Sequence, residues 1–528
     1  MPAIRTLMVA AEAYPLAKTG GLGDAVTGMA VAMAHAGIEI DLLIPGYRGV
    51  LRMIDRARTV AKLDDIPGGP AKLVRGVCKE SGLSILVLRN DALYDRDGLY
   101  VDDDGNEYAD NAVRFAALSH AAVRVAQGLP GVPTPHLVHA HDWHAGLVPL
   151  LLRAVGVTQV KSVLTLHNMA FQGLFGMEHA DEIGLPEAYR DESGAQAWGR
   201  INYLKAGIRY ADRVTTVSRN YAREILTPAF GCGLDPLLKE RGTDLLAIAN
   251  GIDEHTWNPA CDPVLGDMQY NPRDVRNKAR CKQALQREFG LEQDPTRVVL
   301  GMGSRLTHQK MADVVLHALP IALDAHPELQ VAIIGRGDHG IEHALVELAQ
   351  RYPGRLGVHI GYDEDSGHRL HAGADALLHG SRFEPFGLTP LYAMRYGTIP
   401  IGSRLGGMVD TIADPGPGAP DEAMRAASGV LFDGDSPHAM AQAISRALRL
   451  HSHPTLWRAM QRNGMTADFS WRTAVEPYAR LFREMAGALP DTGKVRTLVR
   501  PVATPALVPV PSSLSGHQGG VSNVPAAA

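Results

Sequence analysis

The residues best suited to chemistry in this sequence lie where a predicted strand meets a predicted helix in "HGSRFEPFGLTPLYAMRYG", residues 379–397. Glu384 follows the strand, and Gly387 leads into the helix. Thr389 fits the N-cap of that helix, and Pro390 fits its first position. Unpaired N–H groups at a helix start bind phosphate well, so the segment predicts an anion site with a carboxylate beside it.

Two cations follow another predicted strand in "GSRLTHQK", residues 303–310. Arg305 and Lys310 together have the charge and the donors that suit a diphosphate. A solvated basic loop is the alternative interpretation, and the local pattern leaves both open.

The loop "PLAKTGGLGDAV", residues 15–26, follows the first apolar run and precedes a helical pattern. Glycine allows a phosphate to approach the backbone closely, and Lys18 adds a positive charge. The loop does not match GxxxxGK[ST], and Val26 stands where GxGxxG requires its last glycine. A plain glycine turn with a solvated lysine is therefore an open alternative to an anion site.

The segment "GRGDHG", residues 335–340, does match GxGxxG, follows a predicted strand and opens a helix. Asp363 and Glu364 follow at about the 20-residue spacing of a dinucleotide-binding fingerprint. An NAD-dependent oxidoreductase is therefore a rival hypothesis. The alternative is an ordinary strand–helix turn.

Histidines end two further strands, in "VHAHDWHAGLVPLLL" and "LTLHNMAFQGLFG". Metal binding by His139, His141 and His144 is conceivable. We favour hydrogen bonds to a polyhydroxyl substrate, and a structural histidine cluster is the alternative. The second segment places His167 and Asn168 at a strand end.

Composition narrows the class of protein. The chain has 528 residues, and its net charge of −5 gives no overall basic field for nucleic acid or an anionic membrane. No apolar run approaches the ~20 residues of a membrane span. The four cysteines show no CxxC spacing, and the N-terminal run predicts a first strand, not a signal peptide. We therefore expect a cytoplasmic protein with reduced thiols.

Apolar strand patterns alternate with helical patterns in two successive series, which predicts an α/β fold of two Rossmann-like, doubly wound domains with parallel sheets covered on both faces. The predicted strands are "RTLMVAAE", "EIDLLIP", "SILVLR", "PHLVHAH", "KSVLTLH", "RVTTVS", "RVVLGMG", "LQVAIIG", "GVHIG", "DALLHGS" and "TIPIGS". Because ligands bind beyond the carboxyl ends of such strands, we expect the site in the cleft between the domains.

The boundary is placed near residues 249–263, where Gly, Asn and Pro cluster. The predicted units are an N-terminal domain (1–255), a C-terminal domain (256–470), a last helix packing back on the N-terminal domain (471–490) and a disordered tail (491–528).

Seven segments occur in an order that resembles bacterial glycogen synthases and plant starch synthases, over residues 4–487. They are "KTGGLGD", "VHAHDWHAGL", "LHNMAFQGLF", "GCGLDPLLKER", "IANGID", "SRLTHQK" and "SRFEPFGLTPLYAMRYG". The resemblance implies a GT-B glycosyltransferase that moves glucose from ADP-glucose to the non-reducing end of an α-1,4-glucan such as glycogen, with retention. It implies no metal or other cofactor, and a front-face route in which the leaving phosphate helps to deprotonate the acceptor.

The resemblance also implies roles for individual residues. Those that would contact the donor diphosphate or the leaving ADP are Lys18, Gly20, Gly21, Arg305, Lys310, Gly387, Leu388 and Thr389. Those around the sugars and the base are Glu384 and His167 at the donor glucose, Asp142 near the acceptor, Tyr362 against adenine, and Asn250 of "IANGID" in the substrate-binding set. The implied catalytic set is Glu384, His167, Asp142, Arg305 and Lys310.

Three positions depart from the family pattern. Phe386 stands where many relatives carry Cys, Pro390 where many carry Gln, and Met311 where Gly is usual. None removes a charge, so we expect them to change the rate rather than the reaction. The competing hypotheses are a UDP-glucose-dependent transferase of the same fold, the NAD-dependent oxidoreductase, and a non-catalytic glucan-binding protein.

Overall fold

The computed structural model of the chain describes residues 4–102, 105–361 and 363–487. The predicted tail (491–528) and Tyr362 lie outside the described residues. In chain order, the strands are β1 (Ile4–Val9), β2 (Ile38–Pro45), β3 (Ile54–Leu63), β4 (Ala71–Cys78), β5 (Ser84–Arg89), β6 (Leu137–His141), β7 (Lys161–Leu166), β8 (Leu174–Gly176), β9 (Gln196–Ala197), β10 (Arg200–Asn202), β11 (Arg213–Thr216), β12 (Leu245–Ala247), β13 (Val298–Gly303), β14 (Leu329–Gly335), β15 (Leu356–Ile360), β16 (Ala376–His379), β17 (Ile399–Ser403) and β18 (Val430–Phe432).

The α-helices connect these strands and follow the last one. They are α1 (Gly21–His35), α2 (Asp91–Tyr94), α3 (Asn111–Gln127), α4 (Leu147–Ala154), α5 (Tyr203–Tyr210), α6 (Arg219–Glu224), α7 (Asp235–Glu240), α8 (Lys278–Glu288), α9 (Ala312–Ala325), α10 (His339–Arg351), α11 (Glu364–Gly373), α12 (Leu388–Arg395), α13 (Gly406–Thr411), α14 (Asp421–Arg425), α15 (Pro437–His451), α16 (Pro454–Thr466), α17 (Trp471–Ala474) and α18 (Glu476–Met485).

The N-terminal half of the molecule contains a nine-stranded sheet in the order β12-β11-β7-β6-β1-β2-β5-β4-β3. Pairing is parallel from β12 through β5. The strand order reverses at β1, which lies between β2 and β6. Ligands of open α/β sheets bind beyond the carboxyl ends of the strands at such a point, so the loops after β1 and β6 are the expected binding loops.

The C-terminal half contains a six-stranded sheet, wholly parallel, in the order β15-β14-β13-β16-β17-β18. β14 is buried along its whole length, as its continuous apolar sequence "LQVAIIG" predicts for a strand covered on both faces. The order reverses between β13 and β16. The loops after these two strands carry Arg305, Lys310 and Glu384.

All eleven predicted strands are confirmed, and the first sheet is parallel except at one edge. β4 pairs antiparallel with both β5 and β3 at its edge. Most of β3 is exposed, and its register with β4 shifts twice. An exposed, irregular edge strand has no apolar periodicity, which is why the sequence pattern missed it.

The chain crosses between the two halves twice, and the crossings lie side by side. Ile252 and Ser470 form a parallel bridge, and Ile252 N donates to Phe469 O at 2.8 Å. After the second crossing, α17 and α18 return to the first sheet. There the Tyr478 hydroxyl lies 3.2 Å from Thr215 Oγ1.

Candidate active site

Two helix starts meet across the cleft between the halves. α1 begins at Gly21 and α12 at Leu388, and no side chain of the described residues caps either start. A Cβ placed on Gly21 would lie 3.1 Å from Leu388 Cδ1. Each start has unpaired N–H groups and the partial positive charge of its helix dipole. The arrangement can therefore bind an anion with groups from both halves.

The start of α12 differs from the sequence-based prediction. Gly387, with φ of +87°, occupies the N-cap, and Leu388 is the first helical residue. The prediction of Thr389 as N-cap and Pro390 as first residue was wrong, because the left-handed Gly387 turns the chain into the helix two residues earlier. The N–H groups of Leu388 and Thr389 therefore come ahead of Pro390, which has none.

Glu384 is a buried carboxylate with three donors on one oxygen. Its Oε2 accepts from Lys310 Nζ in a short contact, from His379 Nε2 at 2.9 Å and from Ser381 Oγ at 3.0 Å. Burial alone would raise the pKa of Glu384, but the Lys310 charge and the His379 hydrogen bond hold it well below its usual range. The group is therefore an anion throughout the physiological range.

Lys310 and Arg305 lie in one loop but in different environments. The Lys310 side chain is 14% exposed and pairs with Glu384, whereas Arg305 is exposed and donates to Gln309 Oε1 at 3.2 Å. Lys310 is thus held by the protein. Among the described residues, the Arg305 side chain bonds only within its own loop.

Met311, directly after Lys310, has a backbone conformation that favours glycine. Its backbone is left-handed, with φ of +55°, and its side chain is completely buried. The thioether accepts from Ser403 Oγ at 3.6 Å and lies against Gly380, which begins the Glu384 loop. A left-handed conformation costs a non-glycine residue free energy, which the packing of this side chain offsets.

The Lys18 loop is organised by a residue that the sequence analysis did not assign, Glu12. The Glu12 carboxylate accepts from Thr19 N at 2.8 Å, Thr19 Oγ1 at 2.8 Å, Gly20 N at 3.3 Å and Tyr100 OH at 2.8 Å. The Gly20 N–H is therefore turned inward to a resident carboxylate. Of the two predicted glycines, Gly21 is the one at the open helix start.

Lys18 lies between two carboxylates from opposite halves. Its Nζ is 2.9 Å from Asp24 and 4.0 Å from Glu364. Burial raises the pKa of Asp24 to about 6, and the Lys18 charge acts in the opposite direction. The loop after β1 therefore faces the C-terminal half directly.

The three histidines in and just after β6 are buried. His139 and His141 are completely buried, and His139 Nε2 lies 2.6 Å from Thr165 Oγ1. His144 stacks on Trp143 at 4.0 Å. The predicted substrate contact by these histidines was wrong for His139 and His141, and the described part of the chain contains no group of three or more His, Cys, Asp or Glu arranged for a metal ion.

His167 is the half-buried member of this cluster, and its neighbour sets its tautomer. His141 Nδ1 lies 3.0 Å from His167 Nε2. Burial holds the pKa of His141 well below its usual value and lowers that of His167 to about 3, so both rings are neutral. His141 Nε2 is buried and finds no partner among the described residues. Because a buried unpaired N–H is costlier than an unpaired acceptor, the proton of His141 lies on Nδ1, and His167 keeps its proton on Nδ1.

Asp142 joins the ends of β6 and β7. Its Oδ1 accepts from His167 N at 2.7 Å and Asn168 N at 3.3 Å, and its own φ is +55°. Burial raises the pKa of Asp142 to about 7, against the lowering effect of these two N–H groups. The carboxylate therefore fixes the turn that presents His167.

The "GRGDHG" segment is a capped strand–helix turn. Asp338, the N-cap of α10, accepts from Ile341 N at 3.0 Å, and Glu342 accepts from Gly337 N at 2.7 Å, so two acidic side chains bind the N–H groups of this turn. A Cβ on Gly337 would overlap the carbonyl oxygen of Leu306. Gly337 thus allows the Arg305 loop to approach this turn closely. Acidic side chains occupy the place where a dinucleotide phosphate would bind.

Asn250 lies at the first crossing between the halves. It is buried, and its Oδ1 finds no hydrogen-bond partner in the part of the chain that the structure describes. Tyr362 lies outside the described residues, so its stacking on adenine remains a prediction.

Among the site residues that sequence reasoning missed, two carried a weak signal. His379 is the last residue of β16, and Glu12 follows β1 by three positions. Polar residues just beyond a buried parallel strand lie at the binding edge of the sheet, which is the signal that could have found both.

Two family descriptions match the chain. The starch synthase catalytic domain matches residues 5–240, and glycosyl transferases group 1 matches residues 285–464.

Curated relatives match nearly the whole chain. A glycogen synthase of Bordetella petrii is 60% identical over 97% of this chain and 98% of its own length. A glycogen synthase of Ralstonia nicotianae is 50% identical over 96% of this chain and 94% of its own length.

Solved structures share the architecture. The catalytic domain of starch synthase IV from Arabidopsis thaliana, bound to ADP and acarbose, has a TM-score of 0.83 at 27% identity and covers 92% of this chain and all of that one. A sucrose-phosphate synthase from Thermosynechococcus elongatus has a TM-score of 0.57 at 18% identity, over 92% of this chain and all of its own, and supports the fold alone.

Proposed function

This chain belongs to the glycogen synthase family of GT-B glycosyltransferases, and we propose that it transfers glucose from ADP-glucose to the non-reducing end of an α-1,4-glucan, with retention. The donor, the glucan acceptor and the site residues are the parts of this proposal that go beyond family membership. The ADP bound by the starch synthase IV structure supports the adenine nucleotide.

One observation carries the donor site: the uncapped starts of α1 and α12 meet at Gly21 and Leu388. A diphosphate between them would accept hydrogen bonds from both halves and would lie in the positive field of both helices. Lys18 lies close to the first start, and Lys310 is held in the loop that faces the second. The geometry supports a clamp in which neither half is sufficient alone.

Charge explains how such a clamp accelerates glucosyl transfer. As the bond from glucose to the diphosphate breaks, negative charge builds on the leaving phosphate, and fixed cations and N–H groups aimed there lower the barrier. Lys310 can share its charge between that phosphate and Glu384. The anionic Glu384, in turn, stabilises positive charge that develops on the sugar.

Glu384 has one oxygen left for substrate. Its three donors all reach Oε2, and Oε1 accepts no hydrogen bond from the described residues. We assign Oε1 to a hydroxyl of the donor glucose. The Nδ1–H of His167 serves as a donor on the opposite side of the cleft.

The test offers glycogen to the purified chain with either ADP-glucose or UDP-glucose, in the presence of a chelator. Chain extension with release of ADP, and α-linked product, is the expected result. No extension with either donor would contradict the transferase, and faster extension with UDP-glucose would select the alternative donor.

A cytoplasmic location is part of the proposal. All four cysteines are free thiols, as in proteins of reducing compartments. Among the described residues, no helix is long and apolar enough to cross a membrane. Fractionation of cells that express the chain tests the location.

A further inference from the structure

We propose that a clasp between the two halves positions the Glu384 loop for reaction, with Ser218 as its positioning residue. The clasp consists of residues 218–224, which include α6, and residues 405–410, which include most of α13. The inference rests on the role proposed above for Glu384.

Ser218 reaches from the N-terminal half to the residue that follows Glu384. Its Oγ donates to Pro385 O at 2.8 Å and accepts from Tyr221 N at 3.1 Å as the N-cap of α6. Ser218 is completely buried. Its one hydroxyl hydrogen is therefore committed to the Glu384 loop.

The same carbonyl is held from the C-terminal half by α13. Gly407 N donates to Pro385 O at 3.1 Å. A Cβ on Gly406 would overlap the carbonyl oxygen of Glu384, and one on Gly407 would overlap that of Phe386. The loop backbone thus packs directly against α13, and Pro385 O accepts one hydrogen bond from each half.

Two carboxylates join the helices reciprocally. Glu224 Oε1, at the end of α6, accepts from Gly406 N at 2.9 Å at the start of α13. Asp410 Oδ2 accepts from Arg219 N at 2.7 Å and Asn220 N at 3.0 Å at the start of α6. Each helix start is capped by a side chain of the other half, an arrangement that exists only while the halves are together. Closure of the cleft and positioning of the Glu384 loop are therefore coupled.

The main test is Ser218→Ala. We expect kcat to fall about tenfold, because small displacements of a catalytic group are costly, while the donor KM changes less than about twofold. Ser218→Thr keeps the hydroxyl and should restore kcat. Asp410→Ala removes an exposed link of the clasp, leaves Ser218 in place, and should lower kcat in the same direction.

Asn90→Ala is the matched control. Asn90 is also a buried N-cap: it accepts from Leu93 N at 3.3 Å and donates to Gly68 O at 3.0 Å, but it contacts no residue of the clasp. Its loss should lower stability and leave kcat near wild type.

A wild-type kcat in Ser218→Ala would overturn the clasp. A fall in the kcat of Asn90→Ala as large as that of Ser218→Ala would overturn it as well. Glu384→Gln, measured in parallel, separates the two proposals. If that variant is inactive while Ser218→Ala is fully active, the clasp fails and the role of Glu384 stands. Full activity of Glu384→Gln would refute the role of Glu384 and the clasp that depends on it.

Discussion

At the scale of single residues, the central feature is a carboxylate whose charge is fixed by its neighbours. Lys310, His379 and Ser381 all donate to Glu384 Oε2. Glu384→Gln retains the shape and removes the charge, so positive charge on the transferring sugar loses its stabilisation. We expect kcat to fall by about 10²-fold or more with a much smaller change in donor KM.

Initial rates at saturating glycogen measure this effect, and a thermal scan confirms that the variant folds. Glu347→Gln, at an exposed position of α10, is the control for the substitution itself. Near-wild-type turnover in Glu384→Gln would remove Glu384 from the chemistry.

A second prediction at this scale concerns pH. Burial, followed by the nearby His167, lowers the pKa of His139 to about 3, whereas an unfolded histidine titrates near 6.5. Between those values only the unfolded chain binds the proton, so the stability contributed by neutral His139 is complete above pH 6.5 and is lost as the pH falls towards 3. His139→Gln can still bond to Thr165 but does not titrate. Its free energy of unfolding should be lower than that of wild type at pH 7, and this difference should be smaller by about 2 kcal/mol at pH 5.

Urea denaturation of both proteins at the two pH values gives the difference in the free energy of unfolding. His343→Gln, at an exposed histidine, reports what removal of a surface imidazole does. A difference between wild type and His139→Gln that stays constant from pH 7 to pH 5 would contradict a buried neutral imidazole.

At the scale of elements, two opposing effects of Met311 on stability meet at the start of α9: backbone strain and side-chain burial. Its left-handed backbone costs ~1–2 kcal/mol, which glycine would recover. Its completely buried side chain is worth more, since Met→Ala in a core costs ~2–5 kcal/mol. Met311→Gly should therefore be less stable by about 1–3 kcal/mol. Denaturation in urea measures this, with Met311→Leu as the control that keeps the packing, and a stabilised glycine variant would show that strain dominates.

The elements also show what the sequence could predict. A run such as "LQVAIIG" predicts β14 because a strand covered on both faces needs only apolar continuity. β3, by contrast, is an exposed edge strand. It is a strand because it pairs with β4, and its own sequence has no apolar periodicity. Charged residues after strands were predicted as site candidates because parallel strands converge at their carboxyl ends. Glu12 and His379 also lie at or just after strand ends, but the folding of the loops decides that they bond to Thr19 and Glu384, so the sequence assigned neither of them a role.

At the scale of the whole molecule, the two halves approach each other around Lys18. Its Nζ lies 2.9 Å from Asp24 in its own half and 4.0 Å from Glu364 in the other. A diphosphate bound between α1 and α12 would compete with these carboxylates for the lysine, so we expect Lys18 to couple donor binding to closure. Since a hydrogen bond to a charged group is worth ~1.5–3 kcal/mol, Lys18→Ala should raise the donor KM about tenfold or more, and kcat should change much less.

The same variant should show less compaction on addition of ADP, measured by small-angle X-ray scattering. Lys161→Ala is the control, because Lys161 begins β7 at the end of the sheet away from the cleft and pairs only loosely with Asp212, at 3.9 Å. If the donor KM and the ADP-dependent compaction of Lys18→Ala both match those of Lys161→Ala, the glycine-rich loop is a structural turn. In that case the diphosphate is held by the C-terminal half alone.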